Sequence, residues 1–146
     1  MFDGTMPYYS LEPAAPGELG DHVVMDTSVH PPRVTHAHLH LDGWLGDDLI
    51  ESYPCYFISE TLAATIENSE LDHYELRDVE VTVSEDAPDD ERAAIPGIRW
   101  LFVTGTAGVN DLGTTAIGQL VVSDRGLAAL QQGNLENCDI EDYDAD

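Results

Sequence analysis

"RVTHAHLHL", residues 33–41, decides between helix and sheet for the first third of the chain. From His36 onward, polar and apolar side chains alternate one by one. That is the period of a strand; on a helix the same residues would scatter around the axis. Extended, the stretch puts His36, His38, His40 and Asp42 on one face and Thr35, Ala37, Leu39 and Leu41 on the other. Two histidines at i and i+2 can share a zinc ion, but three in a row cannot. The outer pair lies about 13 Å apart at roughly 3.3 Å per residue, while zinc–nitrogen bonds are about 2.0–2.1 Å. Any site on His36, His38 and His40 would need further ligands from elsewhere, with His22, His73 or a carboxylate as candidates. The reading preferred from the sequence is an amphipathic strand whose polar face meets water or a partner.

Working outward, "HVVMDTSV" (22–29) is β-branched and stops at Pro31-Pro32, so it pairs with 33–41 as a hairpin. "YPCYFIS" (53–59) is an apolar strand. "SETLAATIENSEL" then changes period, and Ser59 as N-cap with Glu60 in the first turn predicts a helix over about 60–69. "YELRDVEVTV" (74–83) alternates again, with a parity slip near Asp78 that predicts a bulge. Residues 84–97 read as a charged, proline-bearing loop. "IRWLFVTG" (98–105) is the most apolar strand and belongs at the centre of a sheet, followed by a glycine-punctuated loop (106–115) and a strand over 116–122. Ser123 then caps a helix that stops near Gly133. The expected fold is α+β, a mainly antiparallel sheet of about six strands with two short helices. Residues 1–20 read as an irregular N-terminal arm, 21–138 as a single domain and 139–146 as an acidic tail.

The charge is the outlier. Twenty-nine acids face five arginines, with no lysine, for a formal net charge of −24. A surface of that kind repels nucleic acid and acidic membranes and attracts basic proteins. No run of about 18 apolar residues is present, and the start lacks a signal-peptide pattern, so a soluble, cytoplasmic protein is expected. Cys55 and Cys138 read as reduced structural thiols.

Enzymatic patterns are missing. Ser123 lacks the glycines of a nucleophile elbow. The loop 105–113 lacks the lysine of a phosphate cradle, and "DIEDYDAD" lacks the glycine and final glutamate of a calcium loop. No catalytic residue and no cofactor are expected. The acids themselves are the candidate site: Asp42, Asp47 and Asp48; Glu85, Asp86, Asp89, Asp90 and Glu91; and Asp139, Glu141, Asp142, Asp144 and Asp146. Trp44, Tyr53, Tyr56 or Tyr143 would anchor a partner where exposed. Adaptation to high salt and mimicry of nucleic acid are the other readings of the same acidity.

One part of the chain carries a resemblance. "IRWLFVTG", "TAGVNDLG", "LVVSDRGLAAL" and "LENCDIEDY", spanning residues 98–143, succeed one another as a hydrophobic strand, a Gly-x-x-Asp-x-Gly loop, an LVVS-helix unit and a polar C-terminal segment. This order is similar to small α+β immunity proteins encoded beside bacterial polymorphic toxins. The resemblance implies a non-enzymatic cytoplasmic inhibitor that covers a cognate toxin, here a basic one. Contact residues in such proteins vary with the toxin, so none is carried over.

Overall fold

The computed structural model describes residues 7–44 and 46–143. β1 (Tyr8–Glu12), β2 (Gly17–Leu19), β3 (Val24–Asp26), β4 (Arg33–His36) and β5 (His38–Leu41) come first. β6 (Leu49–Ser52) and β7 (Cys55–Ser59) lead into α1 (Glu60–Asn68). β8 (Tyr74–Arg77) and β9 (Glu80–Val83) precede α2 (Asp89–Ala94). β10 (Ile98–Val103), β11 (Leu112–Thr114), β12 (Leu120–Ser123), α3 (Asp124–Leu130) and β13 (Asp139–Tyr143) complete the order.

The class is α+β, with mainly antiparallel pairing and three short helices among the described residues. Instead of one six-stranded sheet there are four small ones, in the orders β11-β12-β1-β13, β6-β7-β10-β8, β2-β5-β9 and β3-β4. The β6-β7-β10-β8 sheet is the wall between two cores. Alternation along its strands sends Leu49, Tyr56, Ile58 and Leu101 to one side, where they meet Leu11, Leu112, Leu120, Val122 and the buried faces of α1 and α3. It sends Ile50, Cys55, Phe57 and Trp100 to the other side, against Val34, Ala37, Leu39 and Leu41. All five residues of β7 are therefore buried, which is why "CYFIS" is almost continuously apolar.

Several expectations hold. α1 starts where Ser59 predicts, with the Leu62 amide donating to Ser59 Oγ at 3.2 Å. α3 starts at the Ser123 cap, with the Gly126 amide donating to Ser123 Oγ at 3.1 Å. β10 lies inside its sheet, between β7 and β8, and β3 and β4 form the hairpin.

Others are corrected. The arm at 1–20 is not irregular where it is described: β1 is an inner strand between β12 and β13, and β2 pairs with β5. Residues 139–143 are not a free tail but β13, paired with β1 from Tyr8↔Tyr143 to Glu12↔Asp139 while still largely exposed. Stretch 84–97 contains α2, whose first turn carries Asp89, Asp90 and Glu91, where the helix dipole favours acids. The slip at Asp78 is no bulge. There the chain leaves one sheet for another, β8 pairing with β10 and β9 running parallel to β5. "RVTHAHLHL" divides in the same way, β4 joining β3 and β5 joining β2 and β9. The two breaks are tied to each other, the Glu80 amide donating to the Ala37 carbonyl at 3.0 Å.

Gly126 shows how closely α3 approaches the adjoining loop. A Cβ there would lie 2.7 Å from the Asp111 carbonyl oxygen and 3.2 Å from Val122 Cβ. That carbonyl is fixed by the Ser123 amide at 2.8 Å. In an open helix Gly→Ala gains about 1 kcal/mol; here overpacking of about 1–3 kcal/mol opposes it. Gly126→Ala should therefore lower the urea midpoint, and a raised midpoint would show that the close approach constrains nothing.

Candidate functional site

β5 covers the second core with Leu39 and Leu41, so strand alternation turns His38 and His40 to its opposite face. The parallel register sets His38 beside Glu80 and His40 beside Thr82. The turn at Gly20–His22 closes over them. The Gly20 amide donates to the His38 carbonyl at 2.7 Å, and a Cβ on Gly20 would sit 2.2 Å from the His38 ring. Only glycine lets the backbone pass there. His22 then stacks on His38, with centroids 4.9 Å apart and planes at 29°.

The partners fix the tautomers. The His22 amide can only donate, so His38 Nδ1 accepts it at 3.0 Å. The proton of a neutral His38 ring is then on Nε2, which donates to Thr82 Oγ1 at 2.8 Å. The threonine hydroxyl passes its own proton to His40 Nδ1, also at 2.8 Å, leaving His40 protonated on Nε2. Beside this relay, Glu80 accepts from His22 Nδ1 at 2.7 Å and from His36 Nε2 at 3.1 Å, one imidazole on each carboxylate oxygen. The bond to Glu80 holds the His22 pKa above the usual imidazole range. The bonds from His22 and His36 hold the Glu80 carboxyl below its own.

The alternating histidines thus part company. His36 is exposed, His40 is half-buried, and His38 is 5% exposed, so for His38 the wet face is corrected to a covered one. They do not converge on a point. Among the described residues, His22, His38 and Glu80 are the trio that puts potential ligand atoms within 4.8 Å of one another. A cleft of about 420 Å³ opens beside them, lined by Glu18, Asp21, His22, His38, His40 and Thr82. His22 is recognisable in the sequence as a possible ligand, whereas no local signal separates Glu80 from the other acids among the 29. The pairing of β5 with β9 joins residues about forty apart, and no local pattern announces it.

The acidic candidates also sort themselves. Asp47 is 3% exposed, and Asn137 donates to both its oxygens, from the backbone at 2.9 Å and the side chain at 2.7 Å. Asp48 accepts from the Asn134 amide at 2.7 Å, and the Trp44 indole donates to the Asp47 carbonyl at 2.9 Å. Asp47, Asp48 and Trp44 are therefore held in a clasp between the loop after β5 and the segment leading to β13. Tyr56 is buried too: its hydroxyl donates to the Gly118 carbonyl at 2.8 Å and accepts from the Leu120 amide at 2.9 Å. Asp42, the α2 acids, Asp139, Glu141 and Asp142 remain exposed, and Tyr143 is half-buried. Asp144 and Asp146 lie outside the described residues.

A second cleft, about 350 Å³, is lined by Glu12, Glu51, Tyr53, Tyr56, Ile117 and Gln119. Burial, with repulsion from Glu12, raises the Glu51 pKa. Neither acid forms an ion pair among the described residues. Tyr53 and Ile117 are exposed at 47% and 64%. Burial pushes the thiols of Cys55 and Cys138 up to about 12, which disfavours their thiolates, and both are free.

Thr82→Val keeps the shape of the side chain and removes the relay's centre, leaving the buried His38 Nε2–H without an acceptor. A loss of about 1–3 kcal/mol is expected, read from denaturant midpoints, with Thr82→Ser retaining most of the stability. The His22–Glu80 pair has its own signature. Raised in the fold, His22 stabilises below its ordinary 6.5 and loses that contribution as pH rises through its folded value. Lowered in the fold, Glu80 stabilises above its ordinary 4.5 and loses it as pH falls through its folded value. The melting-temperature difference between the wild type and His22→Gln should therefore be largest between those two values and shrink on either side. A difference independent of pH would exclude the ion pair.

No helix of the described residues is long and apolar enough to cross a membrane. Compared with protein-family models, curated proteins and solved structures, the chain matches none.

Proposed function

We propose that this protein is a non-enzymatic inhibitor that binds a basic protein, a toxin encoded beside it. The partner docks across Glu12, Glu51, Asp139 and Glu141, next to Tyr53 and Ile117. The supporting observation is uncompensated charge beside exposed apolar groups. Of 29 acids, only Glu75 and Asp78 lie within ion-pair distance of an arginine among the described residues, from Arg77 at 3.0 Å and Arg99 at 4.0 Å. Register places Asp139 opposite Glu12, and Glu141 follows on the same face of β13. Glu51 is held with its charge disfavoured, a state that a lysine or arginine entering the cleft would relieve.

Carboxylates at the rim steer and orient a cationic partner but add little affinity by themselves; an aromatic anchor that excludes water supplies most of it. Tyr53 suits that role, and Ile117 extends the apolar patch. The order of segments over 98–143 resembles the immunity proteins and favours the same reading. Asp42 and the exposed acids of α2 would contribute long-range attraction rather than contact.

The test pairs the protein with the product of the neighbouring reading frame. The expected result is a 1:1 complex that relieves toxicity, with an association rate falling at least tenfold from low to high salt. Tyr53→Ala should weaken it by about 2 kcal/mol or more, and Glu12→Gln with Glu51→Gln should slow association. A neighbour that is neither toxic nor bound, or an on-rate flat in salt, would overturn the proposal.

A further inference from the structure

We propose that His22, His38 and Glu80 bind one divalent transition-metal ion of the zinc class. The site is independent of the docking face described above. Two imidazoles and a carboxylate suit zinc, copper or nickel, whereas calcium and magnesium prefer all-oxygen sets. The donors already lie within 4.8 Å of one another. A tetrahedral ion with bonds of about 2.0–2.1 Å holds its donors roughly 3.4 Å apart, so the trio has to close slightly. His22 can supply that movement, because its side chain is 66% exposed on a turn. His38 and Glu80 are fixed opposite each other by strand register.

The relay determines which atom of His38 serves. Its Nε2–H donates to Thr82 Oγ1 at 2.8 Å, and His40 holds Thr82 from the other side. Metal-bound histidines commonly donate their second ring nitrogen to such an outer partner, which orients the ring and raises its basicity. The ligand is therefore Nδ1. Metal binding costs the hydrogen bond from the His22 amide to that atom, and the amide lies on an exposed turn where water can replace it. On Glu80, the two imidazoles now occupy the approach a metal would take, at 2.7 Å and 3.1 Å, so uptake requires them to turn aside. Glu18 and Asp21 line the adjoining cleft and draw cations toward it. Within "HAHLH" the three histidines then differ in role: His38 ligates, His40 orients through Thr82, and His36 flanks Glu80.

The experiment is calorimetric titration of Zn²⁺ into tag-free, chelator-stripped protein, with millimolar Mg²⁺ present to occupy surface carboxylates, and Co²⁺ absorption as a second readout. One ion per chain is expected, with a Co²⁺ spectrum of nitrogen and oxygen ligands. His22→Ala and Glu80→Gln should each weaken binding at least tenfold, while His30→Ala, outside the cluster, should leave it unchanged. His22 is exposed, so its loss is compatible with folding, and circular dichroism verifies this for each variant. No saturable uptake, several ions displaced by Mg²⁺, or binding that survives both ligand variants would overturn the assignment.

Discussion

The fold depends on one sheet that must be covered on both faces. β7 has no exposed residue, and β6, β7 and β10 each divide their side chains between two cores. β1, β12, α1 and α3 cover one side, and β5 with the β3–β4 hairpin covers the other. Because β5 meets the core through Leu39 and Leu41, its histidines have to face away, and the residues that meet them come from β9 and the Gly20–His22 turn. The polar cluster is thus placed by apolar packing. No feature of the histidines themselves brings them to Glu80.

That order of causes explains what was legible. Capping serines, the change from two-residue to helical period and the apolar run of β10 are local signals, and each identified its element. The strand changes were less visible, though traces of them exist. Val34 and Ala37 are both buried three residues apart, an odd spacing that a single straight strand cannot satisfy, and the slip at Asp78 has the same origin. Both mark a chain passing from one small sheet to another, which a local pattern cannot tell from a bulge. The two-strand extension at residues 8–19 was masked by Pro13, Pro16 and the glycines, which end strands as readily as they prevent them. Acid-rich β13 reads as a tail because its partner, β1, lies about 130 residues earlier. For the acids, sequence reading found the excess but could not separate a structural clasp such as Asp47 from free surface. That distinction rests on Asn134 and Asn137, far along the chain.

The scarcity of cations gives the histidines an electrostatic part as well. With five arginines and no lysine, three of the five close acid–base contacts among the described residues use an imidazole. Glu80 is held by two of them. An arginine in their place would be permanently charged and could not be displaced by a metal, so imidazole keeps this corner of an acidic surface able to exchange a proton for another cation.

The position of β1 carries a consequence for biosynthesis. Its neighbours on either side are β12 and β13, so both edges of this strand stay open until those two segments have been synthesised. Non-local pairing of this kind delays folding until the loop between the partners can close. The acidic rim formed by Glu12 and Asp139 accordingly comes into being only once β13 has been made and has paired with β1.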